Sequence, residues 1–345
     1  MKTTKTNRRA FLRGAAVGTL AAPAFIGKAI AQGKVNWRVQ CHWPKASSSF
    51  DGSLGALVRY VEERTDGAFK FETFGAGEFA KGPDIYALVR KGVVPMATIS
   101  PSYFQDKAET ASFYYGIPGT FKEAWEMQNA IKNLGLEDLL NEELAADGLL
   151  IRSEKIYPTE MVASKKIETA EDFSGLKIRS SGTTLDYLKA AGAAPQYIPG
   201  SELYQSLSSG VVDGAHWGAA VGAQSMSLWE VCKYHYRTPL GLNSDAYIVN
   251  MDALNDIDAE LAETLLDAME IRHWRRTAEY FQLEAIALAE GVRDDGLEIL
   301  ELPSDVVDLM TAATNDILEM EGQKGEKAAK AADIYRKLLS DLGYT

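Results

Sequence analysis

Short apolar runs alternate along the chain with amphipathic stretches of helical period. Residues 35–42 (VNWRVQCH) alternate as a strand, and residues 50–64 carry an apolar stripe at helical spacing that stops at Asp66-Gly67. Residues 68–74 alternate again, 83–91 read as a helix behind Pro83, and 93–99 as a buried strand. This β-α-β-α-β order predicts a sheet covered by helices on both faces. The pattern restarts after Gly148, with strands at 149–151, 161–163, 176–178 and 196–198 and helices at 184–191 and about 201–210. Residues 246–250 (AYIVN) predict a strand returning to a sheet. Residues 258–292 predict one long helix with Leu261, Leu265 and Met269 on an apolar face. No repeat, low-complexity linker or long charge run divides the halves, so the chain is expected to cross more than once between two lobes that close by a hinge. A ligand would then sit in the crevice at the carboxyl ends of the strands.

The segment 173–217 carries the chemistry. Gly175-Leu176-Lys177-Ile178-Arg179 is a short apolar strand ending at an arginine, followed by Ser180-Ser181-Gly182-Thr183-Thr184, which suits a helix N-terminus. A planar fork of donors beside the positive end of a helix is a receptor for an oxyanion such as a carboxylate. A surface arginine in an ion pair gives the same pattern. Val212-Asp213-Gly214-Ala215-His216-Trp217 closes the segment, with Asp213 and Gly214 expected to shape a helix exit.

The N-terminus reads Asn7-Arg8-Arg9-Ala10-Phe11-Leu12-Arg13 before an apolar, Ala/Gly-rich run ending near Ala29-Ile30-Ala31. That is a twin-arginine export leader with a small-x-small cut expected after Ala31, too short to be a stable span. It predicts a soluble periplasmic protein. Losing residues 1–31 removes six basic residues and no acid, moving the formal charge from −12 to −18. Such acidity excludes nucleic acid and anionic membrane surfaces as partners, yet one arginine in a closed cleft still binds an anion. Cys41 and Cys232 lie far apart and read as free buried thiols.

Catalytic signatures are missing: no G-x-S-x-G, P-loop or H-E-x-x-H occurs, and Gly75-Ala76-Gly77 lacks the third glycine of a dinucleotide loop. His42, His216, His235 and His273 show no ligand spacing; His235 reads as an aromatic strand residue and His273 as a solvated or packing one. An enzyme using Glu160 and His216 as an acid–base pair is the competing reading.

The ordered set of twin-arginine leader, GLKIRSSGTT, the Gly192-Ala193-Ala194-Pro195 turn, the 202–210 helix and VVDGAHW resembles the DctP-type extracytoplasmic solute receptors of tripartite ATP-independent periplasmic (TRAP) transporters, over essentially the whole mature chain. The resemblance implies an α/β, two-lobed periplasmic-binding-protein fold with hinge strands and a long helix spanning both lobes. Lobe I would hold residues 32–153 and 246–290, and lobe II residues 154–245 and 291–345. It implies no enzyme and no cofactor, a small organic anion as ligand, and the small and large membrane permease subunits as partners. Arg179 would salt-bridge the ligand carboxylate. Other contacts would come from Trp43, Ser49 and Phe50, from Ser100, Pro101 and Tyr103, and from His216, Trp217, Asn243 and Asp245.

Relatives that bind sialic acids add an arginine near 159–161, where this chain has Thr159-Glu160. Relatives that bind 2-oxo acids through a cation place a carboxylate before the tryptophan, where this chain has His216, and another within 239–242. Glu160 or Asp245 are the available substitutes, and no metal is assigned. The aromatic wall of Trp43, Phe50, Tyr103 and Trp217 suits a monocarboxylate with an apolar or ring-bearing body. A sulfonate, a cation-bridged 2-oxo acid, and service to an ATP-driven importer are the alternatives. A chain ending at Tyr344-Thr345 after an amphipathic helix (Ile334, Leu338, Leu339) is expected to be a monomer.

Overall fold

The computed structural model describes residues 34–237 and 240–344, so the expected leader and its cut lie outside the described residues. The strands, in chain order, are β1 (Val35–Gln40), β2 (Phe69–Phe74), β3 (Met96–Ile99), β4 (Leu149–Pro158), β5 (Met161–Ala163), β6 (Lys177–Arg179), β7 (Ala194–Gln196), β8 (Gly214–His216), β9 (Tyr234–Tyr236), β10 (Leu242–Asn250) and β11 (Glu298–Leu300). They form two sheets, ordered β2-β1-β3-β10-β4 and β11-β9-β5-β8-β6-β7. β1, β2 and β3 are parallel, while β10 runs antiparallel to both β3 and β4. The chain passes between sheets from β4 to β5 and returns from β9 to β10, so two neighbouring antiparallel strands form the hinge.

Period-two alternation divides the apolar side chains between two cores, one on each face of the sheets. Ala97, Ile99, Ile151, Met161, Ala163, Ala246 and Ile248 face one core. Met96, Val162, Tyr247 and Val249 face the other. Both cores run through both sheets, which ties the lobes together.

The expected long helix is Ala259–Glu290, and the Asp258 carboxylate caps it by accepting from the Glu260 N–H at 2.9 Å. At 1.5 Å per residue it is about 48 Å long, enough to span both lobes. It packs on the helix Ala56–Arg64 and β4 at one end and on the helix Ala220–Ser225 at the other. Its first turns bury Leu261, Leu265 and Met269 as expected, and from Arg272 onward it also buries His273, Arg276 and Glu284. The helix Ser304–Gly322 lies against Thr183–Ala190, and Glu326–Asp341 lies against Ala124–Lys132 and Leu136–Leu144, which cover β4 of the first sheet.

Several strands differ from expectation: β8, which includes Gly214, and β11 had no predicted counterpart, and β10 begins at Leu242 rather than at 246. β4 extends seven residues beyond Ile151, through Glu154 and Lys155, because those charges find partners within the fold. The strand expected at 196–198 lies at Ala194–Gln196, on the sheet edge, where Pro195 costs no ladder bond.

Candidate functional site

Strand ends from both sheets meet in one cleft. His42 and Trp43 follow β1, Ser100 and Tyr103 follow β3, Arg179 ends β6, and His216 ends β8 with Trp217 and Gly218 after it. Tyr157 and Asp245 come from the hinge strands, Tyr115 from the end of the helix Ala111–Tyr115, and Ser181 from the turn after β6. The cavity between them is about 20 Å³, room for one water. The lobes are therefore in contact over it. Trp43 and Trp217 meet edge to face with ring centres 5.0 Å apart, and Tyr103 and Tyr197 do so at 5.9 Å.

Arg179 is buried, at 3% exposure. Its Nε donates to the Ile198 carbonyl at 3.0 Å and its Nη1 to the His216 carbonyl at 3.0 Å. The guanidinium carbon lies 4.7 Å from the centre of the Trp217 ring. Two carbonyls thus fix the plane of the fork and leave donor capacity on it. A third donor is the buried Trp217 indole N–H, which has no partner among the described residues. Gly200 makes room for that indole, since a Cβ there would come within 2.2 Å of the ring. His216 is neutral: burial, then the Arg179 charge, push its pKa down to about 3, and its Nδ1 lies 3.1 Å from Ser180 Oγ.

Asp245 faces the cavity from the opposite wall and is wholly buried. Its Oδ2 accepts from Trp43 Nε1 at 2.9 Å and from Lys155 Nζ at 2.5 Å; its Oδ1 accepts from Tyr157 Oη at 3.2 Å and lies 3.3 Å from His42 Nε2. Burial alone would raise its pKa. The Lys155 ammonium, then His42, outweigh burial and hold the carboxyl far below the usual carboxylate range.

Of the residues singled out from sequence, Arg179, His216, Trp217, Trp43, Ser100, Tyr103 and Asp245 line this cavity. Four do not. Phe50 packs on the core outside it, and Ser49 is buried in the loop before it. Asn243 is buried behind the wall, bonded to Thr159 Oγ1 and to the Tyr115 carbonyl. Glu160 bonds His235 Nε2 at 2.6 Å and Arg237 Nε at 3.0 Å and faces a separate groove with Phe121, Leu242 and Phe281. Trp229 Nε1–H donates to His235 Nδ1 at 3.3 Å, so Nε2 carries the proton given to Glu160. Glu160 and His216 are therefore not an acid–base pair. Sequence reasoning missed His42, Tyr115, Tyr157 and Ser181 in the wall and Lys155 behind it. His42 adjoins Trp43 and Ser181 lies two residues beyond Arg179, whereas Lys155 gave no periodic signal.

The model of bacterial extracellular solute-binding proteins, family 7 (DctP), matches residues 41–323. A monocarboxylate 2-oxoacid-binding periplasmic protein of Nostoc sp. is 24% identical over 317 residues, covering 88% of this chain and 83% of that protein. Among solved structures, a TRAP transporter solute-binding protein of Bordetella bronchiseptica, with copurified calcium and picolinate, superposes with a TM-score of 0.83 at 22% identity, covering 91% of this chain and 94% of that one. A TRAP periplasmic solute-binding protein of Pseudoalteromonas atlantica, with bound sodium and pyruvate, gives 0.82 at 22% identity, covering 90% and 95%. A match over most of the chain settles the family: the chain belongs to the DctP family (family 7) of bacterial extracellular solute-binding proteins, which are solute receptors rather than enzymes.

Proposed function

We propose that this protein is a periplasmic receptor that takes a small monocarboxylate on Arg179 and delivers it to the membrane permease subunits of a TRAP transporter. The observation that carries the reading is the buried Arg179 guanidinium, oriented in the cleft by two backbone carbonyls that use only two of its five N–H donors. A carboxylate there receives charge-assisted donors, and the Trp217 indole N–H is a further donor to its oxygens. Trp43, Tyr103, Tyr115 and Trp217 provide an apolar surround for the ligand body. With Asp245 paired to Lys155, Arg179 is the single cation in this wall left for a ligand, which favours one carboxylate over two. The acids bound by the relatives in Nostoc, Bordetella and Pseudoalteromonas are of this small class and support the reading.

A cavity of about 20 Å³ holds no organic acid, so entry requires the lobes to part at the β4 and β10 crossings and to close again on ligand. Lobe II begins at residue 154, within β4, and the chain acts as a monomer. Export runs by the twin-arginine route, and an Arg8→Lys, Arg9→Lys variant left in the cytoplasm would be the expected result. The proposal is tested by titrating tryptophan fluorescence of the mature protein with small monocarboxylates, dicarboxylates, sulfonates, amines and neutral sugars. Saturable quenching by monocarboxylates is expected. A response confined to amines or sugars would overturn the reading.

A further inference from the structure

Lys155 is wholly buried, and its ammonium stands between two wholly buried carboxylates, 2.5 Å from Asp245 Oδ2 and 2.9 Å from Glu154 Oε1. Adjacent strand residues normally point to opposite faces. Here Asp245 pairs with Lys155 and Ala246 with Ser153, so Glu154 is an extra residue, a β-bulge, and the bulge turns Glu154 and Lys155 toward one point. The rings of Trp43, Tyr157 and Tyr280 lie 4.9 to 5.8 Å from the same nitrogen. Two carboxylates and three π faces around one point make a cation site, and a tethered ammonium fills it. Trp43, Tyr157 and Asp245 are also cavity wall, so whatever cation sits there sets the wall's shape and charge.

Two structural neighbours hold calcium with picolinate and sodium with pyruvate. The donor set of this chain does not fit such an ion. Both Asp245 oxygens are taken up by His42, Trp43, Lys155 and Tyr157, Glu154 reaches the point from behind the wall, and among the described residues no three His, Cys, Asp or Glu side chains converge as metal ligands. We propose that Lys155 is the resident cation of the cleft, a positioning residue that holds Asp245 ionised and unavailable to metal, and so restricts the site to acids that need no bridging ion. The inference rests on the reading of this cleft as an anion receptor, but its test does not need the organic acid.

The probe is calcium chloride alone, read by the thermal melting of the mature protein. Lys155→Met removes the ammonium and leaves two buried carboxylates facing one point, so the variant should melt lower than wild type and regain several degrees in millimolar calcium. Wild type, Lys155→Arg and the double variant Lys155→Met, Asp245→Asn should show no calcium shift. If Lys155→Met does not fold without metal, recovery of its native near-ultraviolet circular dichroism only with calcium supports the proposal, and no recovery with calcium overturns it. A calcium shift in wild type equal to that of Lys155→Met, or a folded Lys155→Met that ignores calcium, also overturns it. Failure of the acid titrations with this pattern intact would refute the receptor reading and leave the role of Lys155 standing.

Discussion

Arg179 donates through Nε and Nη1 to two carbonyls, one at Ile198 beyond β7 and one at His216 at the end of β8, so its geometry depends on having a fork and not on charge alone. A lysine can make neither pair of bonds at once. Arg179→Lys should therefore lose nearly as much affinity as Arg179→Ala, about 2–5 kcal/mol for truncating one partner of a buried charge pair. Calorimetry giving the lysine variant near-native affinity would remove the fork from the account. His273 offers a second residue-level expectation. It is wholly buried on the long helix with neither ring nitrogen bonded among the described residues, and burial drives its pKa down to about 3. As pH falls through the range near 6.5 the unfolded chain binds a proton there and the folded chain does not, so stability drops with acid until about pH 3. His273→Leu removes that term and should flatten the fall in melting temperature between pH 7 and pH 4. Parallel pH profiles for variant and wild type would refute it.

Some short strands and their end residues were legible because each carries a simple apolar pattern: Ile178 before Arg179, and Ala97 and Ile99 before Ser100; the strand Gly214–His216 was not, since Gly214 read as part of a helix exit. What escaped was the hinge pair. Glu154, Lys155 and Asp245 look like strand breakers one strand at a time, and their pairing across β4 and β10 is set by a bulge that no single-strand period reveals. Glu160 was misjudged for the complementary reason: it lies past the crossing into the second sheet, where β9 supplies His235 as its partner. Gly182, between β6 and the helix Thr183–Ala190, shows how closely the elements of the two lobes meet. It sits at φ +58°, and a Cβ would come within 2.8 to 3.1 Å of Ser102, Tyr115 and Gln105 on the facing lobe. Gly182→Ala should weaken acid binding at least about tenfold by obstructing closure, on the order of 1.4 kcal/mol. An unchanged dissociation constant in a folded variant would show that this approach is not part of the bound state.

On the scale of the whole molecule, two cores running through both sheets and a helix of 32 residues hold the lobes in one body, and the adjacent crossings are where that body can bend. Small-angle scattering of the mature protein should give a monomer mass and a smaller radius of gyration with ligand than without; a dimer mass or no compaction would contradict a hinged monomer. The account depends most on a single acid held by Arg179. Native mass spectrometry of the mature protein and its Arg179→Ala variant, purified without denaturation and followed by mass analysis of the released small molecules, tests that directly. The expected result is a small carboxylic acid at one per chain on the wild type and absent from the variant. A neutral or cationic molecule on the wild type, or the same acid retained in full by Arg179→Ala, would contradict it.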